Sequence, residues 1–258
     1  MNESGGIAWE VRDGVGRIVL RTRTLSRAAS AGLAGAIDGV LARAPGAIVL
    51  RAEGPLFCAG GDIVEFAAAG GALPAYVDEV LGILHPALLR LTGGPSPIVS
   101  AVGGAVAGAG IGLALCADVV LAAPSMTLRS GYAGVGLSPD LGSSWFLSRR
   151  IGPVRAHQVL VLGDPLDARR CLEWGAIDEI HPDAALAPAS EALARRLAQG
   201  ARGTSAAVRE LCGGLPGRGL REHLALEHAH LRRTAGSPEA HTRIAAFLED
   251  RSRRSAGR

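Results

Sequence analysis

An apolar strand pattern that runs through closely spaced glycines into an apolar helix pattern dominates residues 97–121. A turn of this kind brings backbone N–H groups close to a ligand, because glycine has no side chain to cover them. A second such turn, residues 57–63, follows the strand-like run 47–52. Two turns that aim free amides at one ligand oxygen form an oxyanion hole, and the pair predicts such a site.

Strand and helix patterns alternate along most of the chain. Residues 7–11 and 15–20 flank Asp13-Gly14, which predicts a β-hairpin. The periodicity then predicts helices over 30–42, 74–91, from about 110, and 142–151, and strands over 47–52, 98–102, 119–122 and 126–128. Beyond Pro182 it predicts helices alone, over 189–199, 204–211, 220–232 and 238–248. This order indicates an α/β core followed by a helical region.

Composition limits the classes of function. The 258 residues, 48% of them hydrophobic, suffice for one compact core. The net charge of +3 is spread along the chain and aromatic residues make up only 3%, so we expect no nucleic-acid surface. The four cysteines form no Cys-x-x-Cys pair, which predicts neither disulfides nor a zinc site and favours a cytoplasmic location.

No membrane segment is expected either. The N-terminus lacks a basic stretch followed by an apolar one, and glycines and Asp118 interrupt the apolar run of residues 97–121.

Two other interpretations of local patterns rank lower. Gly108, Gly110 and Gly112 resemble a dinucleotide-binding loop, but the third glycine comes one place too early for G-x-G-x-x-G. A helix would bring His223, Glu227 and His230 to one face, but they lack the His-Glu-x-x-His pattern of a metal site. We therefore expect neither a nicotinamide cofactor nor a metal.

Three motifs resemble the enoyl-CoA hydratase/isomerase (crotonase) superfamily. They are Phe-Cys-Ala-Gly-Gly-Asp-Ile at 57–63, the glycine-rich segment 103–118, and Gly-Leu-Ser-Pro-Asp-Leu-Gly-Ser-Ser-Trp-Phe-Leu at 136–147. The resemblance continues through residues 149–156 and 168–179. It implies a spiral of ββα units over residues 1–182 and a helical region over 183–258 for oligomerisation and active-site cover.

The resemblance also implies ligands and partners. Members of this superfamily hold acyl-CoA thioesters and need no cofactor beyond the coenzyme A moiety of the substrate. They usually assemble as trimers or as dimers of trimers, so we expect a homotrimer or homohexamer. The acyl group, and the choice between coenzyme A and a carrier protein, stay open.

By position in the motifs, the resemblance assigns the oxyanion-hole donors to the amides of Ala59 and Ala109. Backbone amides at such positions stabilise an enolate or a tetrahedral oxyanion next to the thioester carbonyl. It also assigns a set of residues around the two turns to coenzyme A binding: Leu25, Cys58, Gly60, Gly61, Asp62 and Ile63.

The reaction type depends on the acid and base around this hole. The two glutamates that the hydratases use correspond to Gly112 and Tyr132, so water addition by paired carboxylates is not expected. Asp140 occupies the place of the acting aspartate in several isomerases of the superfamily and in its aromatic dehalogenase. We therefore expect enoyl-CoA isomerisation with Asp140 as acid and base, although Asp140 is also placed to cap the helix near Gly142.

Alternatives remain at this stage. His85 corresponds to the histidine that activates water in the dehalogenase, where Asp140 would act as a nucleophile. The tryptophans of that enzyme correspond to Leu84 and Tyr132. Tyr132 itself would either hydrogen-bond to Asp140, protonate an enolate or line the pocket. A hydratase, or a member that binds acyl-CoA without catalysis, is a further alternative.

Overall fold

The computed structural model describes residues 1–213 and 217–256. The chain divides into two compact units, Met1–Ala198 and Gln199–Arg258. The sequence prediction drew the boundary at residue 182, and the two divisions differ by one helix, Asp183–Ala198, which belongs to the first unit.

Two β-sheets form the centre of the first unit, and its mixed α/β architecture confirms the predicted fold class. The strands are β1 (Asn2–Ser4), β2 (Ile7–Arg12), β3 (Val15–Leu20), β4 (Ala47–Ala52), β5 (Leu56–Cys58), β6 (Ile98–Val102), β7 (Ala105–Ala107), β8 (Val119–Ala122), β9 (Thr127–Arg129), β10 (Leu166–Asp167) and β11 (Glu179–Ile180). The larger sheet has the order β1-β2-β3-β4-β6-β8-β11, and the smaller has the order β10-β9-β7-β5.

Consecutive strands from β4 to β9 belong alternately to the larger and the smaller sheet. β4, β6 and β8 run parallel in the larger sheet, while β5, β7 and β9, which follow them along the chain, run parallel in the smaller one. Each turn of the chain thus adds one strand to each sheet before a helix returns, and the result is a spiral of ββα units. The glycine-rich turns lie after β5 and β7, at the same edge of the smaller sheet.

Helices surround these sheets and continue into the second unit. The first unit contains α1 (Arg27–Leu41), α2 (Ile63–Ala69), α3 (Leu73–Gly93), α4 (Ala109–Leu115), α5 (Tyr132–Val135), α6 (Ser143–Ile151), α7 (Pro153–Leu162), α8 (Ala168–Trp174) and α9 (Asp183–Ala198). The second contains α10 (Arg202–Gly213), α11 (Leu220–Ala235) and α12 (Pro238–Ala256).

Local sequence explains several of these boundaries. The β2–β3 hairpin turns at Asp13 and Gly14, whose φ angles of 53° and 73° belong to a turn type that suits Asp-Gly. α1 begins after Ser26, whose hydroxyl accepts the Ala29 N–H at 3.1 Å and so caps the helix. α9 starts earlier than predicted, because Pro188 is accommodated inside the helix instead of preceding it.

The larger sheet is covered on both faces. Leu33, Ile37 and Val40 of α1 belong to the main apolar cluster, which also contains the buried face of α3. On the other face, Leu186 and Ala194 of α9 pack in a second cluster with residues of β3, β4, β6 and β8. Parallel strands buried on both faces explain why their sequences are continuously apolar.

Within the part of the chain that the structure describes, one helical stretch, Ile63–Gly93, is long and apolar enough to cross a membrane by length and composition alone. In the structure, a 3₁₀ turn at Gly70–Ala72 interrupts this stretch between α2 and α3. Tyr76, Val80 and Leu84 of α3 belong to the main apolar cluster. Core helices of globular proteins pass the same test of length and composition.

Candidate active site

A cavity of about 360 Å³ lies where α2, α3, the start of α4 and residues 130–140 meet. Its volume is within the range of small-molecule sites, and its walls are mainly apolar. Among the residues that the structure describes, Asp140, His85 and Tyr132 are the titratable groups in its lining. The first unit alone supplies this cavity.

The two glycine-rich turns meet at one side of the cavity. Gly60 has a φ of 93°, which only glycine adopts without strain, and a β-carbon built on it would lie 3.0 Å from the Ala109 nitrogen. Gly110 packs against the carbonyl of Cys58, where a β-carbon would lie 2.4 Å from the oxygen. The absence of side chains therefore allows the backbone of one turn to contact that of the other.

The amide of Ala59 is not free. It donates a hydrogen bond to the carbonyl oxygen of Arg23 at 2.8 Å. The prediction that Ala59 supplies an oxyanion donor is therefore wrong, because its N–H is engaged in joining this turn to the chain before α1. Ala59 and Arg23 are far apart in the sequence, so the position of Ala59 in its motif does not reveal this hydrogen bond.

Gly61 and Ala109 have different surroundings. Both residues line the cavity, and neither amide has a hydrogen-bond acceptor within residues 1–213 and 217–256. Ala109 is the first residue of α4, where the N–H groups of a helix lack intrahelical partners. Gly61 lies beside the Phe66 ring, where a β-carbon would lie 2.5 Å from the ring.

Asp140 lies in a tight segment before α6. Leu141 has a φ of 44° and Gly142 a φ of 72°, so two successive residues have left-handed backbone. The helix cap is Gly142, and no side chain forms a capping hydrogen bond there. The carboxylate of Asp140 therefore does not cap α6, which was the structural alternative for this residue.

The carboxyl group of Asp140 is instead bound by Tyr132. The Tyr132 hydroxyl donates to Asp140 Oδ1 at 2.5 Å, and the Asp140 N–H donates back to the same hydroxyl oxygen at 3.2 Å. No other side chain of the described residues donates to the carboxylate, so Oδ2 accepts no side-chain hydrogen bond. The ring of Tyr132 is buried, which fixes the position of the hydroxyl.

Ser143 connects this pair to the glycine-rich turn, and the sequence analysis did not identify it. Its buried hydroxyl lies 3.0 Å from the Tyr132 hydroxyl. It accepts the Gly112 N–H at 3.2 Å and donates to the Gly108 carbonyl oxygen at 3.1 Å. The Asp-Leu-Gly-Ser spacing places this serine one helical turn after Asp140, but only the contact between α4 and α6 explains its role.

The environment shifts the proton affinity of both hydrogen-bonded partners. Burial raises the pKa of Asp140 above that of an ordinary aspartate, although the Tyr132 hydrogen bond, His85 and its own backbone amide lower it. The pKa of Tyr132 is also raised, first by burial and then by the charge of Asp140. Asp140 thus takes up a proton more readily than a solvated aspartate, whereas Tyr132 keeps its own.

His85 lies on α3 in the lining of the same cavity. Its side chain is exposed, and its positive form lowers the pKa of Asp140 through space. It makes no hydrogen bond or ion pair with any residue of the described chain. The structure therefore brings His85 and Asp140 into one cavity without a direct contact.

The residues predicted to bind coenzyme A differ in exposure. Leu25 and Cys58 are buried, and burial raises the pKa of the Cys58 thiol to about 11. Asp62 caps α2 through its contacts with the amides of Val64 and Glu65 and also accepts the Thr24 hydroxyl, which lowers the pKa of its carboxyl.

The Ile63 side chain is 53% exposed. Gly60 and Gly61 complete the turn. Coenzyme A binding by this set stays a prediction.

Gly112 has no room for a side chain. A β-carbon at this position would lie 2.0 Å from the carbonyl oxygen of Leu141. No rotamer relieves this overlap, because both atoms belong to backbone-fixed positions. The loop that carries Asp140 thus packs directly on α4 at the position where the resemblance placed the glutamate of a hydratase.

The second unit contains His223, Glu227 and His230, the candidate metal ligands of the sequence analysis. His223 pairs with Glu227 at 3.2 Å, while His230 pairs with Glu210 at 3.1 Å. Within the described residues, no three His, Cys, Asp or Glu side chains converge as metal ligands would.

Comparison with known proteins gives a consistent family. The family model described as enoyl-CoA hydratase/isomerase matches residues 10–255. A Rhodobacter capsulatus protein named probable enoyl-CoA hydratase is 34% identical over 256 residues, which cover 98% of each chain. The 1,2-epoxyphenylacetyl-CoA isomerase of Escherichia coli is 32% identical over 212 residues, or 82% of this chain and 81% of that one.

Solved structures similar to this chain include members of the same family. An enoyl-CoA hydratase from Polaromonas sp. JS666 has a TM-score of 0.87 and 28% identity, covering 95% of this chain and 97% of its own.

Proposed function

The chain belongs to the enoyl-CoA hydratase/isomerase family, and we propose that it isomerises the double bond of an enoyl-CoA with Asp140 as the proton-transfer group. The observation that carries this proposal is the Asp140 carboxyl, bound by Tyr132 through one oxygen only, in a cavity that also contains the free amides of Gly61 and Ala109.

The Gly61 and Ala109 amides are the proposed oxyanion hole. They replace the pair Ala59 and Ala109, because the Ala59 N–H is already donated to Arg23. Both donors bind the thioester oxygen, whose negative charge grows as the enolate forms, and they need no reorganisation at that moment.

The proton then moves between two carbons. The Asp140 carboxylate removes a proton from C2 of a β,γ-enoyl thioester, and the electron pair shifts into a dienolate whose oxygen is held by the two amides. The resulting Asp140 carboxylic acid returns the proton to C4, which leaves the α,β-enoyl thioester. Burial favours the uptake step because it raises the pKa of Asp140.

Two features support isomerisation over hydration. Asp140 is the one carboxylate in the cavity lining among the described residues, whereas water addition needs a second group to position water. The position of a hydratase glutamate, Gly112, is closed by the Leu141 carbonyl. The names of the two relatives do not decide between these reactions, because one is called an isomerase and the other a hydratase. The preference for isomerisation therefore rests on the geometry of the cavity.

A second candidate function uses Asp140 as a nucleophile that displaces a leaving group, such as halide, from an activated aryl carbon of the thioester. His85 is then the base that activates water to hydrolyse the resulting aryl ester. Its supporting observation is that His85 lines the same cavity and lowers the pKa of Asp140. The two functions differ in their dependence on His85, since isomerisation needs no second base.

The test compares conversion of β,γ- to α,β-enoyl-CoA by the wild type, Asp140→Asn and Asp164→Asn. Asp164 is exposed and does not line the cavity, so Asp164→Asn is the matched control. We expect Asp140→Asn to lower kcat by about 10²–10⁴-fold while thioester binding persists, and the control to match the wild type. Undiminished turnover by Asp140→Asn would refute the role of Asp140.

His85→Gln separates the two candidate functions. Under isomerisation it leaves turnover within a few-fold of the wild type. Under the nucleophilic mechanism it strands an aryl ester, or an acyl anhydride, on Asp140, which mass spectrometry of the intact protein detects.

A further inference from the structure

A second, much smaller cavity lies beside the 360 Å³ cavity. It measures about 20 Å³ and shares Gly61, Ala109 and Asp140 with its larger neighbour. We name it the inner recess. The residues that line the inner recess alone are Leu25, Tyr76, Val80 and Leu84.

The spacing of α3 explains this arrangement. Tyr76, Val80 and Leu84 recur every fourth residue and form one face of the helix, which points into the main apolar cluster. Val77 and Leu81 lie on the neighbouring face and line both cavities. The helix thus lines both cavities with neighbouring faces.

The walls of the inner recess are held by specific contacts. The rings of Phe66 and Tyr76 meet edge to face with centroids 5.4 Å apart. The Tyr76 hydroxyl donates to the Glu65 carboxylate, which also accepts the Arg27 N–H at 2.9 Å. The Arg27 guanidinium stacks 4.7 Å above the Tyr76 ring. These contacts connect α1, α2 and α3, so the recess has a fixed size.

Size and polarity both match one methyl group. A volume of about 20 Å³ is that of a single water-sized group, and a buried water needs two to four polar partners. When a thioester is bound, its oxygen takes up the Gly61 and Ala109 amides, and the Tyr76 hydroxyl is committed to Glu65, so among the described residues only Asp140 is left to bind a water in the recess. An apolar group of this size is therefore a better occupant than water.

The position identifies which part of the substrate would enter. The inner recess is bounded by the two amides proposed to hold the thioester oxygen and by the carboxyl proposed to act on C2. A substituent on C2 is the one nearest to all three groups. The main chain of the acyl group would continue in the large cavity.

We propose that the inner recess receives a methyl branch on C2, so that the protein selects 2-methyl-branched acyl thioesters over their unbranched counterparts, with Leu84 setting the limit on branch size. This specificity rests on the proposed acyl-CoA function but not on isomerisation, because it concerns binding alone. A methyl group buried there should tighten binding about fourfold.

The test measures calorimetric affinities for butanoyl-CoA and 2-methylbutanoyl-CoA, which share a main chain and undergo no isomerisation. We expect the wild type to bind the branched thioester about fourfold more tightly. Leu84→Phe fills the recess and should abolish that preference. Leu89→Phe is the matched control, since Leu89 lies on the same helix with 72% exposure, and it should keep the preference.

A complementary variant guards against misfolding of Leu84→Phe. Leu84→Ala enlarges the recess and should shift the preference from 2-methylbutanoyl-CoA to 2-ethylbutanoyl-CoA.

Several outcomes would overturn the proposal. They are equal or weaker binding of the branched thioester by the wild type, a preserved methyl preference in folded Leu84→Phe, and an unshifted preference in Leu84→Ala. If the protein bound both thioesters but did not turn over enoyl-CoA, isomerisation alone would be overturned. If it bound neither thioester, both the acyl-CoA function and the proposed role of the recess would be overturned.

Discussion

Tyr132 is the residue that fixes Asp140 chemically. Its hydroxyl donates to Oδ1 at 2.5 Å and receives the Asp140 N–H, so the side chain both orients the carboxylate and stabilises its charge. A tyrosine of raised pKa donates this hydrogen bond without losing its proton, which argues against Tyr132 as the acid of the reaction. We regard it as a positioning residue.

This role predicts a change in pH dependence for Tyr132→Phe. The hydrogen bond stabilises the carboxylate and lowers the pKa of Asp140, so its removal raises that pKa. Because the reaction starts from the carboxylate, the acidic limb of the kcat/KM profile should move to higher pH, by about one unit for a hydrogen bond to a charged group. An unchanged limb would show that Tyr132 only fills space.

Among the predicted residues, Ala59 shows what sequence position misses. The motif places the turn correctly beside α4, yet the choice of amide depends on which N–H is used by a bond to a distant carbonyl, here that of Arg23. Ser143 was missed for a related reason: its contacts with Gly108 and Gly112 exist only once α6 packs on α4.

Individual elements were more predictable than the site. β4, β6 and β8 have the predicted bounds, because strands buried on both faces have uninterrupted apolar sequences. The Asp13-Gly14 turn was equally well determined by local backbone preference. The start of α9 was predicted too late, because the local pattern suggested a helix boundary at Pro188, whereas this proline lies inside the helix.

The contact between α4 and the Asp140 loop predicts the effect of a methyl group at Gly112. In Gly112→Ala the new β-carbon meets the Leu141 carbonyl, so we expect a loss of at least about 2 kcal/mol in the free energy of unfolding. Gly35→Ala in α1 is the control: no atom lies within 4 Å, and lower unfolded-state entropy should stabilise the chain by about 0.4–1 kcal/mol.

Chemical denaturation of both variants measures these differences. Equal stability of the two would contradict the close packing of α4 against the loop.

On the scale of the whole first unit, α9 closes one face of the larger sheet. Besides its apolar contacts, it is held by Glu191, whose two carboxylate oxygens accept the Nε and Nη2 groups of Arg17 at 2.7 Å each. The Arg17 side chain is buried and also donates to the carbonyls of Arg12 and Val15. This ion pair joins a strand near the N-terminus to a helix that the sequence analysis assigned to a separate region.

Glu191→Gln tests that connection. It removes the bidentate partner of the buried Arg17 guanidinium and leaves only the looser contact with Glu10 at 3.9 Å, so we expect a loss of about 2 kcal/mol in unfolding free energy. Glu173→Gln removes exposed pairs with Arg169 and Arg170 and should cost less than about 1 kcal/mol. Thermal denaturation of both variants compares them, and equal midpoints would mean that the Arg17–Glu191 pair adds no more than a surface pair.

Isotope transfer shows whether one carboxyl, that of Asp140, carries a proton from C2 to C4. A β,γ-enoyl-CoA deuterated at C2 is converted in ordinary water, and NMR locates the deuterium in the product. We expect α,β-enoyl-CoA with part of the deuterium at C4, because bound substrate covers the half-buried Asp140 carboxyl and limits exchange with solvent. A 3-hydroxyacyl product, or α,β-enoyl-CoA with no deuterium at C4, would contradict it.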